Sequence, residues 1–391
     1  MGASPDPLSM KKANQEESRL HNRRLVLNTI YTSSEISRVE IARRTQLTRT
    51  TVSGIVAEFI ADGLVEEIGL APSTGGKPAT LLRLDENARL LIGIDLAESE
   101  FCGALVNLRG KIVNRICLPV SDHGAENTLQ RVYQLIEQLL ALKSTPVIGI
   151  VVGVPGLMDP ATGTVRQAVN LDWANLPLGD LLRSRFQRPV YLANDCQVSA
   201  LGEYTFGGGR ASKNLMVIKI GRGVGAGVVL DGQLFYGDNA GAGEIGHIQV
   251  AENGDRCRCG NTGCLEAVIS VPALIARARQ LTSGKIDDFP SLIEAHHAGN
   301  PQVISLLEDA AQTLGGVVTH FVSLLNINHI LLAGSLSVLS ESLLPVLRQR
   351  VQNGVLPALA EHTKIELAPL GDEIVILGAA SLVLKNELGL L

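Results

Sequence analysis

The stretch CRCGNTGCLE, residues 257–266, gathers three of the chain's six cysteines into one short loop. Cys257 and Cys259 are two apart, Cys264 follows five later, and GAGEIGHIQV upstream supplies His247. Three thiolates and one imidazole form a closed tetrahedral set, Cys₃His, for which zinc makes bonds of about 2.0–2.3 Å. Gly260 and Gly263 let the backbone fold tightly enough for the sulfurs to converge. Arg256 and Arg258 offset part of the thiolate charge. A redox pair is an alternative, although Cys-x-Cys plus a third cysteine matches CxxC chemistry poorly. Three reduced thiols without an ion are another. With His247, Cys257, Cys259 and Cys264 all used, a bound zinc has no position for water. It would be structural, pinning the loop of Glu266 against the segment of Glu244. Cys102, Cys117 and Cys196 sit in apolar or helical runs and read as small hydrophobes.

The bulk numbers narrow the setting. The chain has 391 residues, 46% of them hydrophobic. That supports a large core and roughly two to three domains at about 150 residues each. Net charge is −5, which does not advertise a nucleic-acid or membrane-surface protein. Residues 1–90 hold 12 basic against 11 acidic residues, so a near-neutral head precedes an acidic body. That split is compatible with local DNA contact. The polar start shows no signal-peptide core, and no window approaches roughly 18 apolar residues. The expectation is a cytoplasmic protein, away from membranes and without structural disulfides.

Residues 1–20 are polar and read as a flexible segment, or one that is helical only near its end. Residues 21–88 read as a winged helix-turn-helix. RLVLNTIYT carries apolar residues at helical spacing, followed by two short amphipathic helices in SRVEIARRTQL and TRTTVSGIVAEFIADGLV. Ser37 and Thr48 stand where N-caps belong. LVEEIG, a Gly-rich turn and TLLRLDE make strand, turn, strand, which is a wing. Arg49, Thr50, Thr51 and Ser53 open the second helix as base-edge candidates, with Arg38 nearby on the first. Lys77 in the wing tip can reach a phosphate. Gly54, in mid-helix, costs about 1 kcal/mol against Ala.

Residues 89–391 change texture. LLIGIDLA, FCGALVNL and KIVNRICLPV are successive strands, and strand–helix alternation follows, the mark of an α/β body. PVYLANDC ends in Asn194 and Asp195, where open α/β sheets place ligands.

EIGHIQV, CRCGNTGCLE, GVPGLMDPATGTV, LANDC and GRGVGAGVVLDG together resemble the ROK family of sugar kinases and sugar-responsive repressors. The resemblance runs from about residue 90 to the end and implies a two-lobed, actin-like or hexokinase-like fold. The head before it is similar to that of the repressor branch, the NagC, Mlc and XylR regulators. The resemblance implies sugar contacts at Asn194, Asp195, Glu244, His247 and Glu266, with Gly156 and Asn170 as further lining. Asp195 matches the kinase general base and would here be vestigial. Paired carboxylate and amide groups suit the hydroxyls of a sugar. Kinases of the family open this domain with Asp-x-Gly-Gly-Thr, whereas this chain reads Asp95, Leu96, Ala97, Glu98, Ser99. Arg222 stands in the second glycine turn where kinases carry Thr, and the adenosine-side turn is AGSL. The implied protein is a repressor that binds double-stranded operator DNA as a homodimer or tetramer, takes a monosaccharide effector and has no catalytic residues. An ATP-dependent sugar kinase, or a regulator reading a phosphosugar or partner protein through Arg222, are the alternatives.

Overall fold

A computed structural model describes residues 15–72, 78–97, 100–120, 124–143 and 145–390. Two compact units emerge, Met1–Arg89 with Leu384–Leu391, and Leu90–Val383. No helix among the described residues is long and apolar enough to cross a membrane.

The first unit contains helices α1 (Gln15–Tyr31), α2 (Arg38–Thr45) and α3 (Arg49–Ala61). α1 begins inside the segment expected to be flexible and buries Val26, Leu27, Ile30 and Tyr31. Ser37 caps α2 by accepting from Glu40 N, and Thr48 caps α3 by accepting from Thr51 N, each satisfying a donor that a helix start leaves open. α3 buries Val52, Ile55, Val56 and Phe59 on one face. Strands β1 (Ile36–Ser37), β2 (Val65–Leu70) and β3 (Thr80–Leu84) form an antiparallel sheet in the order β1-β3-β2. The wing expected from the sequence is therefore present, while Lys77 lies outside the described residues. Residues 384–390 return to this unit through a π-helical turn, Leu384–Leu388. Leu384 and Leu390 are fully buried, and Gly389 lies against the Arg24 stem, leaving no room for a side chain.

The second unit repeats one plan twice. β4 (Leu90–Asp95), β5 (Glu100–Asn107) and β6 (Ile112–Pro119) make a meander. After α4 (Ala125–Leu142), β7 (Val147–Val154) adds parallel to β4. A small sheet of β8 (Leu157–Asp159), β9 (Thr164–Ala168) and β10 (Trp173–Leu176) intervenes, then α5 (Leu178–Phe186). β11 (Val190–Asn194) completes the first large sheet, β11-β7-β4-β5-β6, and runs straight into α6 (Asp195–Thr205). The second lobe opens with β12 (Leu215–Ile220), β13 (Val224–Leu230) and β14 (Gln233–Leu234) as another meander. Helices α7 (Leu265–Ile269), α8 (Val271–Leu281), α9 (Phe289–His297) and α10 (Pro301–Leu325) follow. β15 (His329–Ala333), α11 (Ser340–Gly354), α12 (Pro357–Ala360), β16 (Lys364–Leu367) and α13 (Ile374–Val383) close the unit. β15 and β16 add in parallel, giving β14-β13-β12-β15-β16.

α6 and α13 pack on each other, α13 against β4 and β7 of the first sheet and α6 mainly against β13 and β12 of the second. Their backbones meet at Gly202 and Gly378. A Cβ on Gly378 would collide with Val198 O, and one on Gly202 would lie 2.9 Å from Gly378 N. Gly93 on β4 and Gly227 on β13 approach the backbones of α13 and α6 in the same way, at Ile376 O and Cys196 O.

One expectation is corrected. Cys102 and Cys117 are not separate small hydrophobes. They face each other across β5 and β6 and are joined as a disulfide. Cys196 is a buried free thiol.

Two glycine substitutions should part company. Gly378→Ala drives a methyl group into packed backbone and should cost at least about 1–3 kcal/mol. Gly54→Ala meets nothing within 4 Å and should gain about 1 kcal/mol in an exposed helix. Urea unfolding of both variants checks the pair.

Candidate functional site

The site grows from the β11–α6 junction. Asn194 caps α6: its Oδ1 accepts from Cys196 N at 2.9 Å and Gln197 N at 3.0 Å, while Nδ2 donates to Gly156 O at 3.1 Å. Gly156 has φ +101°, and a side chain there would strike the backbone at Gln167, so the loop needs glycine. Asn170 lies in a short 3₁₀ turn, Val169–Leu171, and its side chain is outside the described residues.

Asp195, the first residue of α6, meets Lys219 of β12, Nζ to Oδ2 at 2.7 Å. The pair is largely buried and bridges the two lobes. Burial alone would lower the Lys219 pKa, but the Asp195 and Asp95 carboxylates more than offset it and leave it raised. Asp95, at the end of β4, is pushed up by burial against the pull of Lys219. Its Oδ1 is buried without a hydrogen-bond partner among the described residues. Sequence reasoning missed Lys219. The available signal was a charge at the centre of LMVIKI, a buried strand where a cation demands an anion.

Glu244, His247 and Glu266 complete the wall. Burial raises the Glu244 pKa, His247 lowers it, and Asp195 and Glu266 raise it further. Three carboxylates and an imidazole therefore share one field. Glu266 Oε2 accepts from Val224 N at 3.0 Å, and its Oε1 lies 3.6 Å from Arg258 Nη2. Arg258 in turn donates to Arg222 O. The second glycine turn is thus laced to the cysteine loop. Glu98 and Ser99 lie outside the described residues.

The ligand atoms of His247, Cys257, Cys259 and Cys264 all lie within 4.8 Å of one another, a group that could hold a metal ion. His247 Nδ1 is 3.6 Å from Cys257 Sγ, while Nε2 points to Glu244 Oε2 at 3.8 Å. One imidazole serves both the thiol cluster and the acidic wall. Gly263, with φ +69°, packs on Ala251 so closely that only glycine fits. Burial and the neighbouring thiols push Cys264 up to about 12. A resident cation would relieve that, since it binds the thiolate.

In the first unit, Arg49, Thr50, Ser53 and Gly54 are exposed on α3. Thr51 is half-buried and engaged with Thr48. Arg38 pairs with Glu67 of β2 at 2.8 Å. Arg43 and Arg44 are spent on Glu40, whose carboxyl they hold down at about 2.

The ROK family model matches residues 91–386. The chain belongs to the ROK family. The MarR family model matches residues 22–71, over the winged helix. The xylose repressor of Caldicellulosiruptor bescii is 32% identical over 385 residues, covering 94% of this chain and 96% of that one. A crystal structure of a ROK family transcriptional regulator, a homolog of the E. coli MLC protein, superposes with a TM-score of 0.80 at 26% identity, covering 93% and 95% of the two chains. A ROK family glucokinase from Streptomyces griseus, solved with glucose and AMPPNP, superposes with a TM-score of 0.68 at 26% identity. It covers 98% of that enzyme but 75% of this chain.

The charged node of the ROK body can be tested by stability. Lys219→Met leaves two carboxylates facing each other in the interior and should cost roughly 3–5 kcal/mol. Asp95→Asn should act oppositely. A carboxyl with a raised folded pKa favours folding below its ordinary value of 3.8 and loses that contribution as pH rises through the folded value. Thermal unfolding should show Asp95→Asn ahead of the parent at pH 7, with the gap closing as pH approaches 3.8.

Proposed function

We propose that this chain is a DNA-binding transcriptional repressor whose operator affinity is set by a monosaccharide bound in the ROK body. The carrying observation is the junction of a winged helix, matched to the MarR family, with a ROK body in which Asp195, Glu244, His247 and Glu266 share one field. The near full-length similarity to a repressor supports the reading. So does the loss of Gly-Gly-Thr after Asp95, which removes the phosphate turn of family kinases.

Two copies would present α3, through Arg49, Thr50 and Ser53, to successive major grooves of a palindromic site, with Thr51 and Arg38 framing the helix and Lys77 reaching the backbone. Asn194, Asp195, Glu244, His247 and Glu266 would hold the sugar hydroxyls, with Gly156 and Asn170 lining the pocket. A sugar that prefers one conformation of the body shifts DNA affinity by its differential binding, typically about 1–3 kcal/mol. The second reading, a sugar kinase, draws on the retained Asp195 and the glucokinase superposition. Asp195-dependent ADP formation with any hexose would establish it; the repressor reading expects none.

Zinc is the proposed ion for His247, Cys257, Cys259 and Cys264. Tetrahedral bonds of about 2.3 Å imply sulfur separations near 3.8 Å, and Cys259 and Cys264 stand 3.7 Å apart. The ion would cross-link residues 247–264 and so fix Glu244 and Glu266.

Titrating labelled upstream DNA with this protein, then adding D-xylose, D-glucose or N-acetyl-D-glucosamine, tests the main reading. One sugar should weaken binding about 5- to 150-fold, and Glu266→Ala should abolish the response while DNA binding stays. DNA binding that no sugar changes would overturn it. Elemental analysis should return about one zinc per chain, and Cys264→Ser should lose both the metal and thermal stability.

A further inference from the structure

We propose that Cys102 and Cys117 are a reversible thiol–disulfide pair that records oxidant on the edge strand of the lobe carrying Asp95. Sheet register brings them together: Asp95 of β4 is opposite Cys102 of β5, which is opposite Cys117 of β6. Paired residues of neighbouring strands project to the same face, so a carboxyl and two sulfurs stand in one row. The two sulfurs are bonded in this structure. β6 is the outer strand of its sheet. Cys102 is buried and Cys117 half-buried, so a small reagent approaches from the Cys117 side.

The surroundings suit exchange chemistry. Arg115 Nη2 lies 3.8 Å from Cys102 Sγ, and a guanidinium favours the thiolate, whether as nucleophile or leaving group. The Glu100 carboxylate lies within 4.8 Å of both sulfurs, placed to accept a proton. With hydrogen peroxide as oxidant, the Cys117 thiolate attacks one oxygen, the O–O bond breaks, and a sulfenic acid and hydroxide form. Cys102 then attacks the sulfenic sulfur, the S–O bond breaks, and water leaves with the Cys102 proton. Two electrons pass from the thiols to one peroxide, which with a further proton becomes two waters. A dithiol reductant reverses this through a mixed disulfide at Cys117, with the Cys102 thiolate leaving beside Arg115.

Opening the bond changes two things. It frees β6 from its covalent tie to β5. It also gives Cys102 an S–H, a weak donor, one strand away from the unpartnered Asp95 Oδ1.

The test uses the full-length, zinc-loaded chain in glutathione buffers of stepped oxidised-to-reduced ratio, read by differential alkylation and peptide mass. The Cys102–Cys117 cross-link should form and disappear across the series. Neither Cys117→Ser nor Cys102→Ala should show it, and Cys257, Cys259 and Cys264 should stay unchanged. Hydrogen exchange of Ile112–Pro119 should speed about tenfold when the bond opens, as expected where a local tie is lost. A bond that never forms, or stays closed throughout the series, overturns the proposal. So does a second zinc taken up by the reduced pair with Glu100, or strand exchange that ignores the redox state.

Discussion

The approach of α6 to α13 at Gly202 and Gly378 sets the architecture of the ROK body. α13 lies on the first sheet and α6 packs mainly on the second, and nothing larger than hydrogen fits at the crossing. The two β-sheets are therefore held at a separation fixed by backbone contact, which is stiffer than contact through side chains. α6 carries the functional consequence. Its first residue is Asp195, and the Asn194 cap that starts the helix also grips the Gly156 loop. A packing constraint deep in the body thereby locates a largely buried carboxylate between its two lobes.

That carboxylate is already engaged by Lys219. Lys219 comes from the other sheet and is neutralised by Asp195 and Asp95 together. Two carboxyl groups and one ammonium thus stand between the lobes, sharing a field with Glu244 and Glu266. Such a surface suits a neutral polyol, whose hydroxyls donate to carboxylates.

Much of this was legible in the sequence, for physical reasons that differ by residue. The cysteine loop could be read because metal ligands close in sequence leave a spacing. α10 could be read because Asn300 caps it, Pro301 starts it and its apolar stripe is long. α11 escaped notice because Pro345 lies inside it, and proline argues against a helix interior. The Cys102–Cys117 pair escaped because its cause is strand register, which composition does not reveal; each cysteine alone resembles a small apolar residue. Lys219 escaped because its partners come from β4 and α6, far off in the chain. The expected sugar contact at Asn194 rests on resemblance, and the structure adds a second duty for that residue, the cap of α6.

The return of residues 384–390 to the first unit gives the protein an order of assembly. Leu384 and Leu390 belong to the core of the DNA-binding head, but the ribosome adds them only after the whole of Leu90–Val383. A nascent chain thus carries an incomplete head throughout synthesis of the body. A chain cut before Leu384 forfeits packing in its first unit.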